Sequence, residues 1–115
     1  MRAKRGKDNL RDSQVPAVII TLFEGKSRLD EASASIDKSL EGAILKLMDD
    51  GEIKGKKGEL TVIHTFGKMP AGRVIVAGLG KKTDFNTGTI RDTYAAIARK
   101  LQSLKIDKAA TKLIK

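Results

Sequence analysis

Cysteine and tryptophan are absent from the sequence, and histidine occurs once. Without cysteine the chain has no disulfide framework, thiolate metal site or cysteine nucleophile, and the cytoplasm is the simplest compartment for it. Aromatic residues make up only 3% of the chain, whereas hydrophobic residues in total make up 40%. The core must therefore be aliphatic, which suits buried strands covered by helices.

Long apolar runs are also missing. No segment approaches the roughly 18 apolar residues of a membrane span, and the basic start of the chain leads into no apolar stretch of signal-peptide length before Pro16. We therefore expect no membrane partner. The length of 115 residues suits one domain. Because residues 1–14 are rich in charge and carry one large apolar side chain, we interpret them as a basic flexible tail and residues 15–115 as the domain.

Positive charge exceeds negative charge, and the net charge is +9. The excess lies at the two ends of the chain, in residues 1–12 and 81–115, while the middle is balanced. This distribution is typical of a solvated tail and a lysine-rich helix face. DNA binding stays the alternative interpretation, because a phosphate-binding track would also need clustered lysine and arginine.

Four segments have the composition of β-strands. Residues 15–23 and 73–79 are almost wholly apolar, as expected for strands buried on both faces of a sheet. Residues 60–66 alternate Leu, Val, His and Phe with Thr and Ile, a half-polar pattern suited to a position nearer a sheet edge. Residues 109–114 predict a last strand. The segment 51–59, rich in glycine and lysine, is predicted to be a mobile basic connector.

Two segments have the periodicity of amphipathic helices. In the first, residues 36–48, apolar side chains recur at three- and four-residue spacing after a polar loop over 24–34. Ser33 or Ser35 is the predicted N-terminal cap. Gly51 is the predicted residue just beyond the C-terminus of this helix.

The second helix is the longer of the two. Thr87 or Thr89 is its predicted cap, and with Thr89 in that role Asp92 would complete a capping box. Its predicted apolar face consists of Ile90, Tyr94, Ile97, Leu101 and Leu104.

The predicted order of elements is strand, helix, strand, strand, helix, strand. With two strands buried on both faces, this order predicts an α/β domain of three layers, in which helices flank a mixed β-sheet. The helix between the first two strands predicts a parallel crossover, and the short link at 67–72 predicts an antiparallel pair.

Glycines follow the second apolar strand, which is where the backbone of α/β proteins often approaches a phosphate. Gly78 and Gly80 are therefore the candidate cofactor-binding residues. The wider pattern does not fit a nucleotide motif, because Thr83 stands where a dinucleotide fingerprint needs a third glycine, and Lys82 stands where a P-loop needs Ser or Thr. A glycine-containing turn is the ordinary interpretation.

No residues are predicted to be catalytic or to bind a metal. His64 has no carboxylate near it in sequence to orient its ring, so cross-strand packing is its simpler role. The acidic residues are scattered: Asp37 and Glu41 lie one helical turn apart, and Asp49 and Asp50 end the first helix. Metal sites need clustered ligands, and these positions are typical of a solvated face or a helix end.

Four pieces in order resemble one known family. They are residues 22–25 (LFEG), 50–59 (DGEIKGKKGE), 73–81 (RVIVAGLGK), and Phe85 followed by Ile90 and Arg91 at the start of a long helix. Over residues 15 to about 113, the chain is similar to the N-terminal domain of the leucyl (cytosol) aminopeptidase family. It departs from that family at residues 1–14, which do not supply the additional apolar strand with which relatives usually begin, so an unpaired sheet edge is expected.

The resemblance implies a macro-domain-like α/β fold that precedes a C-terminal peptidase domain. That second domain binds two divalent metals, typically zinc or manganese, and removes N-terminal residues from peptides. Its signature, Asn-Thr-Asp-Ala-Glu-Gly-Arg-Leu, does not occur here, so no catalytic residue is carried over and no cofactor is expected in this chain. The implied partners are the chain's own peptidase domain and, in the parent enzyme, the other copies of a hexamer.

Two other functions stay open from the sequence. The macro-like fold suggests a binding module for nucleotide or ADP-ribose at the loop of Gly78 and Gly80, and some bacterial members of the family bind DNA, which the basic ends would suit. A free-standing enzyme that uses His64 ranks last.

Overall fold

The computed structural model describes residues 15–25, 29–106 and 109–111. The basic tail predicted at 1–14 and the end of the predicted last strand lie outside these residues. The elements, in chain order, are β1 (Ala17–Phe23), α1 (Glu31–Ser39), α2 (Ala43–Asp49), β2 (Leu60–His64), β3 (Arg73–Gly80), a short 3-10 helix (Lys82–Asp84), α3 (Thr87–Ser103) and β4 (Ala109–Thr111).

The four strands form one mixed sheet in the order β2-β3-β1-β4. β1 runs parallel to both β3 and β4, and β2 runs antiparallel to β3. The mixed sheet, the edge position of β2 and the antiparallel pair across the link at 67–72 were all predicted, and the structure confirms them.

The predicted parallel crossover between the first two strands is wrong. After the helices, the chain passes to the sheet edge and forms β2, which is not a neighbour of β1; the parallel neighbour of β1 is β3. Composition accounts for this arrangement. The two wholly apolar strands pair at the centre, where both of their faces are covered, and the half-polar β2 is left for the edge.

Two apolar layers lie on opposite faces of the sheet, so the predicted three-layer α/β architecture is confirmed. On one face, alternate residues of β1 and β3 pack against α1 and α2, with Val18, Ile20, Leu22, Val74 and Val76 meeting Ile36, Leu40 and Ile44. On the other face the remaining residues pack against α3, with Ala17, Ile19, Ile75 and Ala77 meeting Ile97.

The single helix predicted over 36–48 is two helices. Glu41 and Gly42 adopt left-handed backbone angles, with φ of 59° and 83°, so the helix cannot continue through them. The apolar spacing continues across this turn, because Leu40 before it and Ile44 after it are buried in the same core cluster. Periodicity alone therefore merged the two helices.

A buried carboxylate holds the start of α2. The side chain of Asp37 is on α1, and its Oδ1 accepts hydrogen bonds from the backbone N–H of Ile44 at 2.7 Å and of Leu45 at 3.3 Å. Since Gly42 precedes α2 and offers no side chain, Asp37 supplies the cap from the preceding helix.

The predicted N-terminal caps of the helices were one to five residues away from the observed ones. Asp30, rather than Ser33 or Ser35, caps α1 by accepting from the Ser33 N–H at 2.8 Å. Gly51, as predicted, follows the end of α2 in the left-handed conformation (φ 80°). The helix also begins at Glu31, inside the stretch predicted to be a loop.

The cap of α3 is Asn86, so the predictions of Thr87 or Thr89 are wrong. The Asn86 side chain accepts from the Thr89 N–H at 3.1 Å, and the Thr89 hydroxyl accepts from the Asn86 N–H at 3.2 Å. This reciprocal pair is a capping box in which Thr89, not Asp92, is the partner. The predicted apolar face is confirmed at Tyr94, Ile97, Leu101 and Leu104, which pack on the sheet.

Replacement of Asp37 tests the cap between the helices. We expect Asp37→Ala to lower the free energy of unfolding by about 1–3 kcal/mol, because two backbone donors at the start of α2 lose their acceptor. Asp37→Asn keeps an acceptor oxygen and should lose less. Urea unfolding followed by circular dichroism measures both.

The matched control is Lys38→Ala, which truncates an exposed neighbour on the same helix. Equal stabilities of the Asp37→Ala and Lys38→Ala variants would contradict the capping role.

Candidate functional site

The carboxyl ends of the central parallel strands lie side by side at one end of the sheet. Leu22 pairs with Gly78, and after a register shift Phe23 pairs with Gly80. The Glu24 N–H continues the ladder by donating to the Gly80 carbonyl at 2.9 Å. In open α/β sheets this end is the usual place for a ligand, so it is the candidate site of this fold.

Residues 53–59, which we call the strap, cross this end of the sheet. Ile53 is buried in the core with α1 and α2, whereas the Lys57 ammonium lies 3.1 Å from a carboxylate oxygen of Asp92 on α3. The strap therefore passes from one face of the sheet to the other around β3. Along the way, the Gly55 carbonyl accepts from the Gly80 N–H at 2.8 Å.

Glu59 holds the strap in shape. Its Oε1 accepts from the backbone N–H groups of Lys54 at 2.9 Å and Gly55 at 2.8 Å, and its carbonyl accepts from the Gly78 N–H at 2.8 Å. The strap is neither helix nor strand, as predicted, but it is bonded to β3 rather than being an independent connector. The sequence signal that was missed is the single glutamate that ends a stretch of glycine and lysine.

Glycines occupy the points where backbone meets backbone. A Cβ atom on Gly78 would overlap the Lys56 carbonyl oxygen, and one on Gly55 would lie 2.6 Å from the Phe23 carbonyl oxygen. Gly80 adopts φ of 80°, and its Cβ would lie 3.1 Å from the Lys57 Cβ. The strap thus lies directly against Gly78 and Gly80, the two residues named as cofactor-binding candidates.

The other residues considered for chemistry lie apart from this end. His64 pairs with Arg73 at the opposite end of β3, and it is exposed beside the ring of Phe66, with ring centroids 5.9 Å apart. Asp37 caps α2, and Glu41 pairs with Lys68 at 2.9 Å. Asp37 and Glu41 both line a surface pocket beside α1 and α2, and His64 is not among the residues of that pocket.

The described residues contain neither a cluster of metal ligands nor a helix suited to a membrane. Within 15–25, 29–106 and 109–111, no group of three or more His, Cys, Asp or Glu side chains is placed to hold a metal ion. In the same part of the chain, no helix has the length and apolar character needed to cross a membrane.

Comparison with known proteins identifies the family. The model of the cytosol aminopeptidase family, N-terminal domain, matches residues 19–115. The chain belongs to this family. The resemblance drawn from the four sequence pieces is confirmed.

The relatives are much longer than this chain. A probable cytosol aminopeptidase of Alkaliphilus oremlandii is 33% identical over 105 residues, which are 91% of this chain but 21% of that protein. The chain thus spans about one fifth of the length of such a curated relative.

Solved structures show the fold. A macrodomain of Mycobacterium tuberculosis DarG matches with a TM-score of 0.70 and 18% identity, covering 92% of this chain and 72% of that one. A tomato leucine aminopeptidase mutant matches with a TM-score of 0.67 and 21% identity, covering 86% of this chain and 20% of that one. The predicted macro-domain-like fold is therefore confirmed.

Replacement of Gly78 tests the contact between the strap and β3. We expect Gly78→Ala to lower the free energy of unfolding by about 1–3 kcal/mol or more, because the new methyl group meets a backbone oxygen that cannot move independently. Thermal and urea unfolding measure the loss.

Gly72→Ala is the matched control. A Cβ there lies 3.7 Å from the nearest atom, an ordinary contact, so its stability should change by less than about 1 kcal/mol. A Gly78→Ala variant as stable as Gly72→Ala would mean that the strap does not press on β3.

Proposed function

We propose that this chain serves as the non-catalytic accessory and assembly domain of a leucyl aminopeptidase. The observation that carries the proposal is that the match falls on the family's N-terminal domain and covers about one fifth of a curated relative. In this proposal, peptide hydrolysis and the two divalent metals, zinc or manganese, belong to a C-terminal peptidase domain. Its partners are that domain and the other copies of a hexamer, in the cytoplasm.

The geometry of the carboxyl end supports a packing role for Gly78 and Gly80. A phosphate at this end would need open backbone N–H groups. Here the Gly78 N–H donates to Glu59 and the Gly80 N–H donates to Gly55. Both donors are thus already used by the strap, and we propose that the two glycines are needed for close approach and not for a cofactor.

A second candidate function is favoured by one observation, the fold shared with the DarG macrodomain. In this second candidate function, the chain is a binding module for nucleotide or ADP-ribose. The strap counts against it. To reach the β3 backbone, a ligand would have to displace the Gly55 and Glu59 carbonyls, which accept the hydrogen bonds of the β3 glycines. DNA binding is supported by charge alone, through exposed lysines such as Lys81 and Lys82.

An exchange of domains tests the accessory role. In the Alkaliphilus relative, the matching segment would be replaced by this chain or deleted, and hydrolysis of a chromogenic leucine substrate measured with added manganese or zinc. We expect the chimera to retain activity, the deletion to lose most of it, and this chain alone to show none. Turnover that rises in proportion to the concentration of this chain alone would count against the proposal. A chimera with no more activity than the deletion would also count against it.

Calorimetric titration with ADP-ribose separates the two candidate functions. We expect no saturable heat at the carboxyl end, since the strap occupies the β3 donors. A saturable heat that is only weakly dependent on salt would favour the binding module instead. In a separate titration with DNA, a heat that collapses between low and moderate salt would indicate electrostatic binding.

A further inference from the structure

The sheet ends at β2, whose outer side has no partner strand among the described residues. On its inner side β2 pairs with β3, and the bonds at the two ends of this pair show which residues face β3. At one end the Gly78 N–H donates to the Glu59 carbonyl at 2.8 Å, and at the other the Thr65 N–H donates to the Gly72 carbonyl at 3.1 Å. Because the direction of the backbone groups alternates along a strand, the odd-numbered residues from 59 to 65 bond to β3.

The outer edge therefore carries the backbone groups of the even-numbered residues, Leu60, Val62 and His64. Each directs one N–H and one carbonyl away from β3, and none of these groups bonds to another described residue. Natural sheets usually protect such an edge with lysine, proline or a bulge. The sequence of β2, LTVIH, contains neither residue, and its register with β3 is unbroken. The edge is open to pairing with another strand.

Apolar side chains surround this edge. Phe66 follows β2 and is 86% exposed, more than any other large apolar side chain that the structure describes. A surface pocket of about 370 Å³ lies beside the edge, and its wall includes Val62 and Ile63 of β2 and Leu47 of α2. Exposed aromatic and apolar side chains in one place are typical of a surface that binds another protein.

A second copy of β2 fits the edge with every outward group paired. When Val62 lies on a two-fold axis, antiparallel pairing places Leu60 opposite the second copy's His64 and Thr61 opposite its Ile63. The outward residues then form facing pairs that exchange both of their N–H···O bonds. No charged side chains oppose each other in this register, so the pairing meets no like-charge repulsion within the strand. A strand of unrelated sequence would have to supply this match itself, whereas β2 supplies it to its own copy.

The size of this contact predicts a weak dimer. Three facing pairs form six hydrogen bonds, which at about one bond per 100–200 Å² correspond to roughly 600–1,200 Å² of buried surface. Stable interfaces begin at about 1,200 Å². Phe66 lies two residues beyond His64, next to the point at which the second copy enters β2, and would add apolar contact there. We therefore expect a dimer that forms reversibly at high protein concentration.

We propose that β2 is a homodimer interface, at which two copies pair antiparallel through Leu60, Val62 and His64 and join their sheets into one continuous sheet. The contact uses the same residues on both copies, so it closes and leaves no further β2 edge exposed. The two-fold axis is perpendicular to the sheet, so the layers formed by α1 and α2 lie on the same side in both copies. The interface does not depend on the proposed function of the domain.

Sedimentation equilibrium and amide hydrogen exchange of the 115-residue chain test this proposal. Between about 20 µM and 1 mM, we expect the average mass to rise from that of one chain toward that of two, since a weak dimer follows mass action. The N–H groups of Leu60, Val62 and His64 should exchange at least about threefold more slowly at the higher concentration. Those of Thr61 and Ile63 bond to β3 and should be protected at both concentrations.

Two variants at His64 separate backbone pairing from the side chain. His64→Pro removes an outward N–H and leaves the bonds to β3 in place. We expect it to weaken dimerisation about fivefold or more, because each copy loses one hydrogen bond. His64→Thr is the matched control, since it removes the same ring and keeps the N–H, and its dimer should be within about threefold of that of the unchanged chain. Circular dichroism checks that both variants fold.

Three results would overturn the proposal. A mass of one chain at every concentration would leave the edge to a strand of another protein. Equal exchange of the three outward N–H groups at both concentrations would mean that β2 is not covered. A dimer that a folded His64→Pro variant does not weaken would use another surface. If His64→Pro does not fold, the exchange rates of the unchanged chain still decide the matter.

Discussion

The parallel pairing of β1 with β3 is the interaction on which the other parts of the structure depend. Both strands are apolar on both faces, and such strands are stable only where two layers cover them. That requirement places α1 and α2 on one face and α3 on the other. It also assigns β2 and β4 to the flanks, because the two central positions are already filled.

The strap follows from the same pairing. The chain must return from α2 on one face to β2 at the edge, and residues 53–59 make this passage around β3. The passage is tight, so backbone meets backbone at Gly55, Gly78 and Gly80. Glycines that resemble a phosphate-binding turn in the sequence are therefore accounted for here by the crossing of two chain segments.

Much of the fold was predictable because the apolar content of each strand determines whether it lies at the centre or the edge of the sheet. The apolar runs at residues 15–23 and 73–79 predicted central strands, and the alternation at residues 60–66 predicted a strand near an edge. What the sequence did not reveal depends on contacts at a distance. Asp37 caps a helix that begins six residues later, and the division into α1 and α2 depends on this cap and on two left-handed residues.

The helix caps and the candidate site were less predictable than the strands. The choice of Asn86 over Thr87 or Thr89 as a cap is made by backbone angles among neighbouring polar residues, which composition does not distinguish. Glu59 and the contact of Lys56 with Gly78 join segments that are far apart in sequence. Composition and periodicity predicted an α/β domain without an evident active site, and four short motifs taken together predicted the family.

The register of the central pair also has a kinetic consequence. Ala17 is paired with Arg73, so α1, α2 and β2 all lie within the loop that this pairing closes. Closing a long loop reduces the entropy of the chain before the contacts that it allows have formed. Parallel pairings of this kind therefore slow folding. The pairing of β2 with β3 and the backbone hydrogen bonds within α3 join residues that are close in sequence, so they form without that delay. The centre of the sheet is the most buried part of the molecule, and we expect its assembly to limit the rate of folding.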